Sequence, residues 1–269
     1  MRQALDSPRA TTCPRLSLQG VRVDVVDGFD VKELLRTLLD EPGCHHVVTA
    51  NMHYVRRAVS DSRLREVLEA ASLVFPDGVP VLWAARALGA RTTQRVTGHD
   101  LTNALAELSA AGGVPIFLMG AAPGVADRAA ESLQRIHPNV RIAGTYSPPL
   151  SSHPFPEEED KRMVDVVNRS GAAALLLALG CPRQDIWIAD HREQLRVSVA
   201  VGVGCVLDVL AGELGRAPGW LQALGLEWLY RLSQEPGRLW RRYLLDAAFL
   251  ARLMGGGVGS RLLRRRRAS

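Results

Sequence analysis

The stretch Val114 to Ile136, Val-Pro-Ile-Phe-Leu-Met-Gly-Ala-Ala-Pro-Gly-Val-Ala-Asp-Arg-Ala-Ala-Glu-Ser-Leu-Gln-Arg-Ile, decides the fold. The apolar run to Met119 reads as a buried strand, Gly120 to Gly124 as a tight turn, and Val125 to Ile136 as a helix. The same unit returns downstream. Ala173 to Leu179 is a buried strand, Gly180-Cys-Pro-Arg-Gln184 a turn before a helix reaching Leu195, and Val197 to Val203 the next strand. Strands that are apolar throughout and alternate with helices build a mostly parallel sheet covered on both faces, a Rossmann-like α/β fold.

The remaining elements extend this pattern in both directions. Val21 to Val26 and His46 to Ala50 read as strands, and Asp30-Val-Lys-Glu33 as a capping box opening a helix to about Leu39. A long arginine-rich helical region follows Asn51 and runs to Ala70. Leu73 to Phe75 is a short strand that Pro76 ends, because proline cannot continue a central ladder. Further helices are expected from Val79 to Leu88, closed by Gly89, from a cap at Asp100 to Ala111, and from Glu157 to Asn168. Arg91 to Gly98 and Tyr146 to Pro156 read as loops, and Val140 to Ala143 as a strand. Trp83 and Trp187 lie on helices and are expected in the core. The chain divides into a disordered segment 1–16, an α/β body 17–225 and a basic helical appendage 226–269.

Charge is unevenly placed. The chain of 269 residues carries +5 overall, yet from Leu226 onward ten arginines face only Glu227, Glu235 and Asp246. A near-neutral body with a basic end suits an anionic partner there, such as a diphosphate, a lipid head group or nucleic acid. Cys13, Cys44, Cys181 and Cys205 have no paired metal-ligand spacing and fit free thiols of a reduced compartment. The polar N-terminus shows no apolar signal segment. The longest uncharged apolar run, Ala172 to Leu179, is far short of the ~20 residues a membrane span needs.

Asp77 draws attention because it follows the Leu73–Phe75 strand and the Pro76 that ends it, where the open carboxyl end of a strand meets a helix, and Gly78 frees the turn. An isolated Asp-Gly pair is more often a solvated turn. Thr49, Asn51 and Gln184 also fall just beyond apolar strands, so one sheet edge can gather all four, with Arg95 in a nearby loop. Thr49 or Asn51 alone would read as a helix cap. Gly120 and Gly124 place backbone N–H groups at a helix N-terminus, where a phosphate can bind. They do not form G-x-G-x-x-G, and Arg141-Ile-Ala stands where a ribose-binding acid would be. A nucleotide therefore fits better than a dinucleotide, and tight packing explains either glycine turn equally well. His53, His99 and His153 show no metal-ligand spacing and read as surface or loop residues.

Seven pieces stand in order: Thr49-Ala-Asn51, Pro76-Asp77-Gly78, Arg95-Val-Thr-Gly98-His-Asp100, Gly180-Cys-Pro182-Arg-Gln184-Asp185, Gly202-Val-Gly204 through Asp208 to Gly212, Arg216-Ala-Pro218, and Glu227-Trp-Leu-Tyr-Arg231 with Glu235-Pro236. Their combination resembles the WecG/TagA/CpsF glycosyltransferases from about Val21 to Arg242. The resemblance implies inverting transfer of a sugar from a UDP-sugar to a polyprenyl-diphosphate-linked sugar, without metal or cofactor, at the cytoplasmic face of the cell membrane in surface polysaccharide synthesis. It makes Asp77 the general base, with Thr49, Asn51, Arg95 and Gln184 around it. Arg231, Arg238 and Arg241 would close over the diphosphate, and donor UDP would lie near Gly120, Gly124 and Gly180. The usual Pro-Lys-Gln-Glu is Pro182-Arg-Gln-Asp185 here, which keeps the charge signs and changes the reach.

Residue chemistry agrees on one point. The chain holds no Asp-x-Asp pair, the usual carboxylate seat for a glycosyltransferase metal, so fixed donors must stabilise the departing UDP. Arg238, Arg241, Arg242 and Arg252 share an arc at helical spacing opposite Trp240, Tyr243, Leu244, Ala247 and Leu250. Most such faces are simply solvated, but aromatic and basic residues together, with Arg264–Arg267 beyond, suit an interfacial helix on an anionic membrane. No motif supports nucleic acid. Oligomeric state stays open, a homo-oligomer included, as do the sugar and acceptor. Two other readings use the same residues: a nucleotide-sugar hydrolase or epimerase, and a non-catalytic membrane-docking component of polysaccharide assembly.

Overall fold

Leu175 and Leu176 are neighbours in one strand yet bury into different cores, and that alternation organises the molecule. The structure is a computed structural model that describes residues 13–25, 28–87, 94–149 and 154–266, with side chains as far as 255, Ala223 excepted. It opens with a hairpin of β1 (Arg15–Leu18) and β2 (Val21–Asp24). Next come β3 (His45–Ala50), β4 (Leu73–Pro76), β5 (Pro115–Gly120), β6 (Arg141–Tyr146), β7 (Ala174–Ala178) and β8 (Val199–Gly202). These form one sheet in the order β4-β3-β8-β7-β5-β6, parallel at every pairing.

Helices cover both faces, as apolar parallel strands require. On one face α1 (Val31–Asp40), α5 (Gly98–Gly112), α6 (Val125–Ile136) and α9 (Val206–Leu210) bury Leu35, Leu101, Leu105 and Leu207 against Val47, Leu118 and Leu176. On the other lie α2 (Met52–Ser60), α3 (Ser62–Ala70), α4 (Val79–Ala87), α7 (Glu157–Arg169) and α8 (Arg183–His191), which pack on Val48, Val74, Leu175 and Leu177. Beyond the sheet follow α10 (Gly219–Ala223), α11 (Glu227–Gln234) and α12 (Pro236–Arg266). The long α12 docks on α2 and α4 and sends Phe249, Leu250 and Leu253 into the core beneath them. The chain leaves β3 toward one face and the adjacent β8 toward the other, which opens a crevice at the carboxyl ends of the strands.

Local chemistry accounts for the departures from the sequence reading. Residues 1–16 are expected to be disordered or loosely attached, but within them Cys13 is buried and Arg15 and Leu16 begin the strand Arg15–Leu18; residues 1–12 lie outside the described residues. Gln19 and Gly20, at φ of 55° and 80°, make the two-residue turn that β-hairpins favour. The hairpin then covers the β4 edge through side chains. Arg22 Nη2 pairs with Asp24 Oδ2 at 2.8 Å, Arg22 Nη1 donates to Ala71 O at 2.6 Å, and Asp24 Oδ2 accepts from Val74 N at 2.8 Å. The helical region after Asn51 is two helices, because Asp61 turns its side chain to cap α3. Asp30 does cap α1, but by accepting from Lys32 N rather than through a box with Glu33. The box is instead at α5, where Thr97 is the cap and Asp100 its partner. Trp187 is buried as expected, whereas Trp83 is 51% exposed, so its place in the core is corrected. Val26, Leu88, Gly89, residues 91–93 and His153 lie outside the described residues.

Candidate active site

β3 and β4 end side by side, with Ala50 opposite Pro76. Asp77 N donates to Ala50 O at 3.0 Å, and Val96 N donates to Pro76 O at 3.0 Å. The chain before α5 thus lies along the end of β4 and brings Arg95 beside Asp77. Gly78, at φ +95°, lets the backbone turn at once into α4. Asp77 is half-buried at this rim. Burial pushes it up to about 7, Arg95 and Arg242 pull the other way, and Glu227 and Asp100 add to the rise. Arg95 Nη1 lies 3.4 Å from Glu227 Oε2, so α11 reaches the same strand end.

Thr49 and Asn51 stand at the end of β3. Thr49 is buried opposite Phe75. Asn51 is the cap of α2, its Oδ1 accepting from His53 N at 3.1 Å and Tyr54 N at 3.3 Å. Among the described residues nothing holds its Nδ2. Gln184 is at the same edge but is buried, and its amide is committed. Oε1 accepts from Gly180 N at 3.2 Å and Gly204 N at 3.0 Å, while Nε2 donates to the Tyr54 hydroxyl at 3.0 Å. Gln184 therefore ties the turns after β7 and β8 to α2. Asp185, fully buried behind it, accepts from Tyr54 at 2.6 Å and faces His46 Nε2 at 3.2 Å.

The glycine turns divide by cause. A Cβ on Gly120 would meet Ala178 O at 2.4 Å, so this glycine permits the close approach of β5 to β7. Gly124, at φ +78°, caps α6 without a side chain, and a Cβ there would meet Arg128 Nη1 at 3.3 Å; at Gly180, φ +76°, nothing is nearer than Arg183 Nη2 at 4.0 Å.

The appendage arginines separate. Arg231 Nη1 contacts Cys205 Sγ at the start of α9, and Arg231 joins Arg238 through shared contact with Glu235. His99, in the first turn of α5, is held down to about 4 by burial and by the Arg216 and Arg231 charges. Arg241 is exposed and lies 5.5 Å over the Trp240 ring. Arg242, assigned no site by its sequence position, is the α12 arginine whose charge reaches Asp77 and Cys181. Its pairing with Asp246 one turn later, at 3.7 Å, is the sequence signal for it, an i,i+4 pair. His53, expected at the surface, is half-buried and faces Asp246. A polar cavity of about 530 Å³ flanks α2 at His53, Arg56, Arg57, Ser60, Asp61 and Ser62, and Asp77 does not line it. No group of three or more His, Cys, Asp or Glu among the described residues is arranged to hold a metal ion.

A chain with this edge can be compared with known proteins. It is 32% identical over 214 residues to the N-acetylglucosaminyldiphosphoundecaprenol N-acetyl-beta-D-mannosaminyltransferase of Bacillus spizizenii, covering 80% of each protein. The model of the Glycosyl transferase WecG/TagA/CpsF family matches residues 16–264, body and appendage together. The matched span includes the carboxylate, the strand ends and the arginine-bearing helices, and the chain belongs to the WecG/TagA/CpsF family of glycosyltransferases.

Proposed function

We propose that this glycosyltransferase moves a sugar from a UDP-sugar to a sugar borne on a polyprenyl diphosphate, by a single inverting displacement that needs no metal. The observation that carries the reading is the place of Asp77, half-buried where β3 and β4 end side by side and next in space to the chain that bears Arg95; burial there pushes its carboxyl up to about 7. A general base works best when its pKa lies near the working pH. The acceptor hydroxyl enters over the end of β4, and Asp77 takes its proton as the oxygen attacks C1 from the face opposite UDP. Thr49, Asn51 and Arg95 orient base and acceptor, and Gln184 acts as the strut behind them. Charge that gathers on the leaving diphosphate is met by Arg231, Arg238 and Arg241 and by N–H groups of the Gly120–Gly124 and Gly180 turns. The name of the relative supports the acceptor class and makes N-acetylmannosamine the first sugar to try.

The acceptor is membrane-borne in this reading, so the enzyme works at the inner face of the cell membrane. No helix among the described residues is long and apolar enough to cross a bilayer. Half-exposed Trp220, Trp228 and Trp240 with the C-terminal arginines suit binding to an anionic surface. The test is a panel of UDP-N-acetylmannosamine, its uronic acid and UDP-glucose with a short-chain polyprenyl diphosphate sugar, EDTA present and products read by mass. Lipid-linked disaccharide with EDTA present is the expected product. Free sugar alone would favour a hydrolase, and no turnover with vesicle binding would favour a docking component.

A further inference from the structure

Tyr54, Gln184 and Asp185 meet where α2 and α8 leave the ends of β3 and β7, and all three are buried. Asp185 Oδ2 accepts from the Tyr54 hydroxyl at 2.6 Å, which spends the one proton of the phenol. The phenol oxygen is left to accept from Gln184 Nε2 at 3.0 Å. That turns the other end of the amide toward the glycines, where Oε1 accepts from Gly180 N at 3.2 Å and Gly204 N at 3.0 Å. Gly202, the last residue of β8, completes the seat. A Cβ there would meet Gln184 Nε2 at 2.5 Å and Asp185 Oδ1 at 2.7 Å, so only glycine leaves these side chains their room. Two sides of the candidate site converge on this one tyrosine. Tyr54 N donates to Asn51 Oδ1 at 3.3 Å, which helps to hold the Asn51 side chain at the end of β3. On the other side, Gly204 precedes Cys205, whose thiol contacts Arg231 Nη1. Being buried, the three side chains act through the backbone they hold rather than by touching substrate.

We propose that Tyr54 is a positioning residue for transfer: through the Gln184 amide, its hydroxyl fixes the turns after β7 and β8 relative to Asn51, and so sets the spacing of donor and acceptor. The inference rests on the transferase reading, in which the donor lies along those turns and the acceptor enters over the end of β4. A misplacement of about 1 Å between reacting groups costs ~10²-fold in rate. Loss of the hydroxyl should therefore show in turnover more than in substrate binding.

The experiment measures kcat and KM for transfer on full-length wild type, Tyr54→Phe, Gln184→Ala, the double variant and Gly202→Ala, each well below its own melting temperature. Amide exchange at Gly180 and Gly204 is followed by NMR on the same proteins. Tyr54→Phe keeps the ring in the core and removes only the hydroxyl. It is expected to lower kcat by ~10–100-fold, with KM for the UDP-sugar little changed. Exchange at both glycine amides is expected to speed up by about tenfold. Gly202→Ala displaces Gln184 from the opposite side and is expected to lower kcat in the same way. Because Tyr54 acts through Gln184, the double variant should turn over no more slowly than Gln184→Ala alone. A wild-type kcat in Tyr54→Phe, losses that multiply in the double variant, or wild-type exchange at both glycines overturns the proposal. If wild type transfers nothing to any acceptor, it is the transferase reading that fails, and amide exchange alone then decides whether Tyr54 fixes the turns.

Discussion

The Tyr54 hydroxyl donates to Oδ2 of Asp185 at 2.6 Å, joining α2 to α8 across a contact that solvent does not reach. The same hydroxyl accepts from Gln184, so Tyr54 links the buried acid to the amide that pins the turns after β7 and β8. Burial and the Asp185 charge together hold the phenol well above its ordinary value, so it stays a donor. Tyr54→Phe leaves Asp185 one donor short and is expected to cost ~1–3 kcal/mol. Asp185→Ala leaves His46 and Tyr54 without their acceptor and is expected to cost more, ~1–3 kcal/mol for each group left unpaired. Urea melts check both, and equal losses would show that Tyr54 alone bears the joint.

Asp77 should weaken the fold where it is ionised. Its folded pKa of about 7 lies above the ordinary 3.8, so the native state binds the proton more tightly than the unfolded chain. That contribution is fully present below pH 4 and is lost as pH rises toward 7. Asp77→Asn should remove the loss and be more stable than wild type at pH 8, by about 2 kcal/mol after solvent screening of the open part is allowed for. The gap should close at pH 4. Transfer by the same variant should fall by ~10²–10⁴ while UDP binding persists. Thermal melts across pH and a UDP titration test the two halves separately.

Arg95 and Glu227 face each other at 3.4 Å and act on Asp77 with opposite signs. Arg95→Gln removes a favourable charge and frees Glu227, so the acid limb of kcat/KM should move to higher pH. Glu227→Gln removes an unfavourable charge and frees Arg95, so the limb should move to lower pH. Shifts of the same sign in the two variants would mean that neither charge reaches the base.

The turn glycines should differ in their tolerance of alanine. At Gly120 a methyl group meets the Ala178 carbonyl at 2.4 Å and the backbone φ is +111°, so strand ends must part. At Gly180 the backbone alone objects, and the left-handed conformation costs ~1–2 kcal/mol. Gly120→Ala should therefore lower the melting temperature by clearly more than Gly180→Ala.

Much of this molecule is legible along the chain because its cause is local. Apolar runs with turns between them specify the strands of the parallel sheet, and Pro76-Asp77-Gly78 marks the acid at a strand end because proline stops the ladder and glycine makes the turn. The charge of the appendage is likewise a matter of counting. What only the tertiary structure decided is which groups face one another. Gln184 and Tyr54 are 130 residues apart, and Arg95 and Glu227 are 132 apart, separations that no periodicity records. Gln184 opens α8 just beyond an apolar strand, as a site residue would, yet its amide is committed to two turns and a phenol. Arg242 looks like one more arginine on a solvated arc until α12 is laid across α2 and α4. Side-chain spacing along one element follows from its own geometry, but the meeting of two elements depends on how the whole sheet packs.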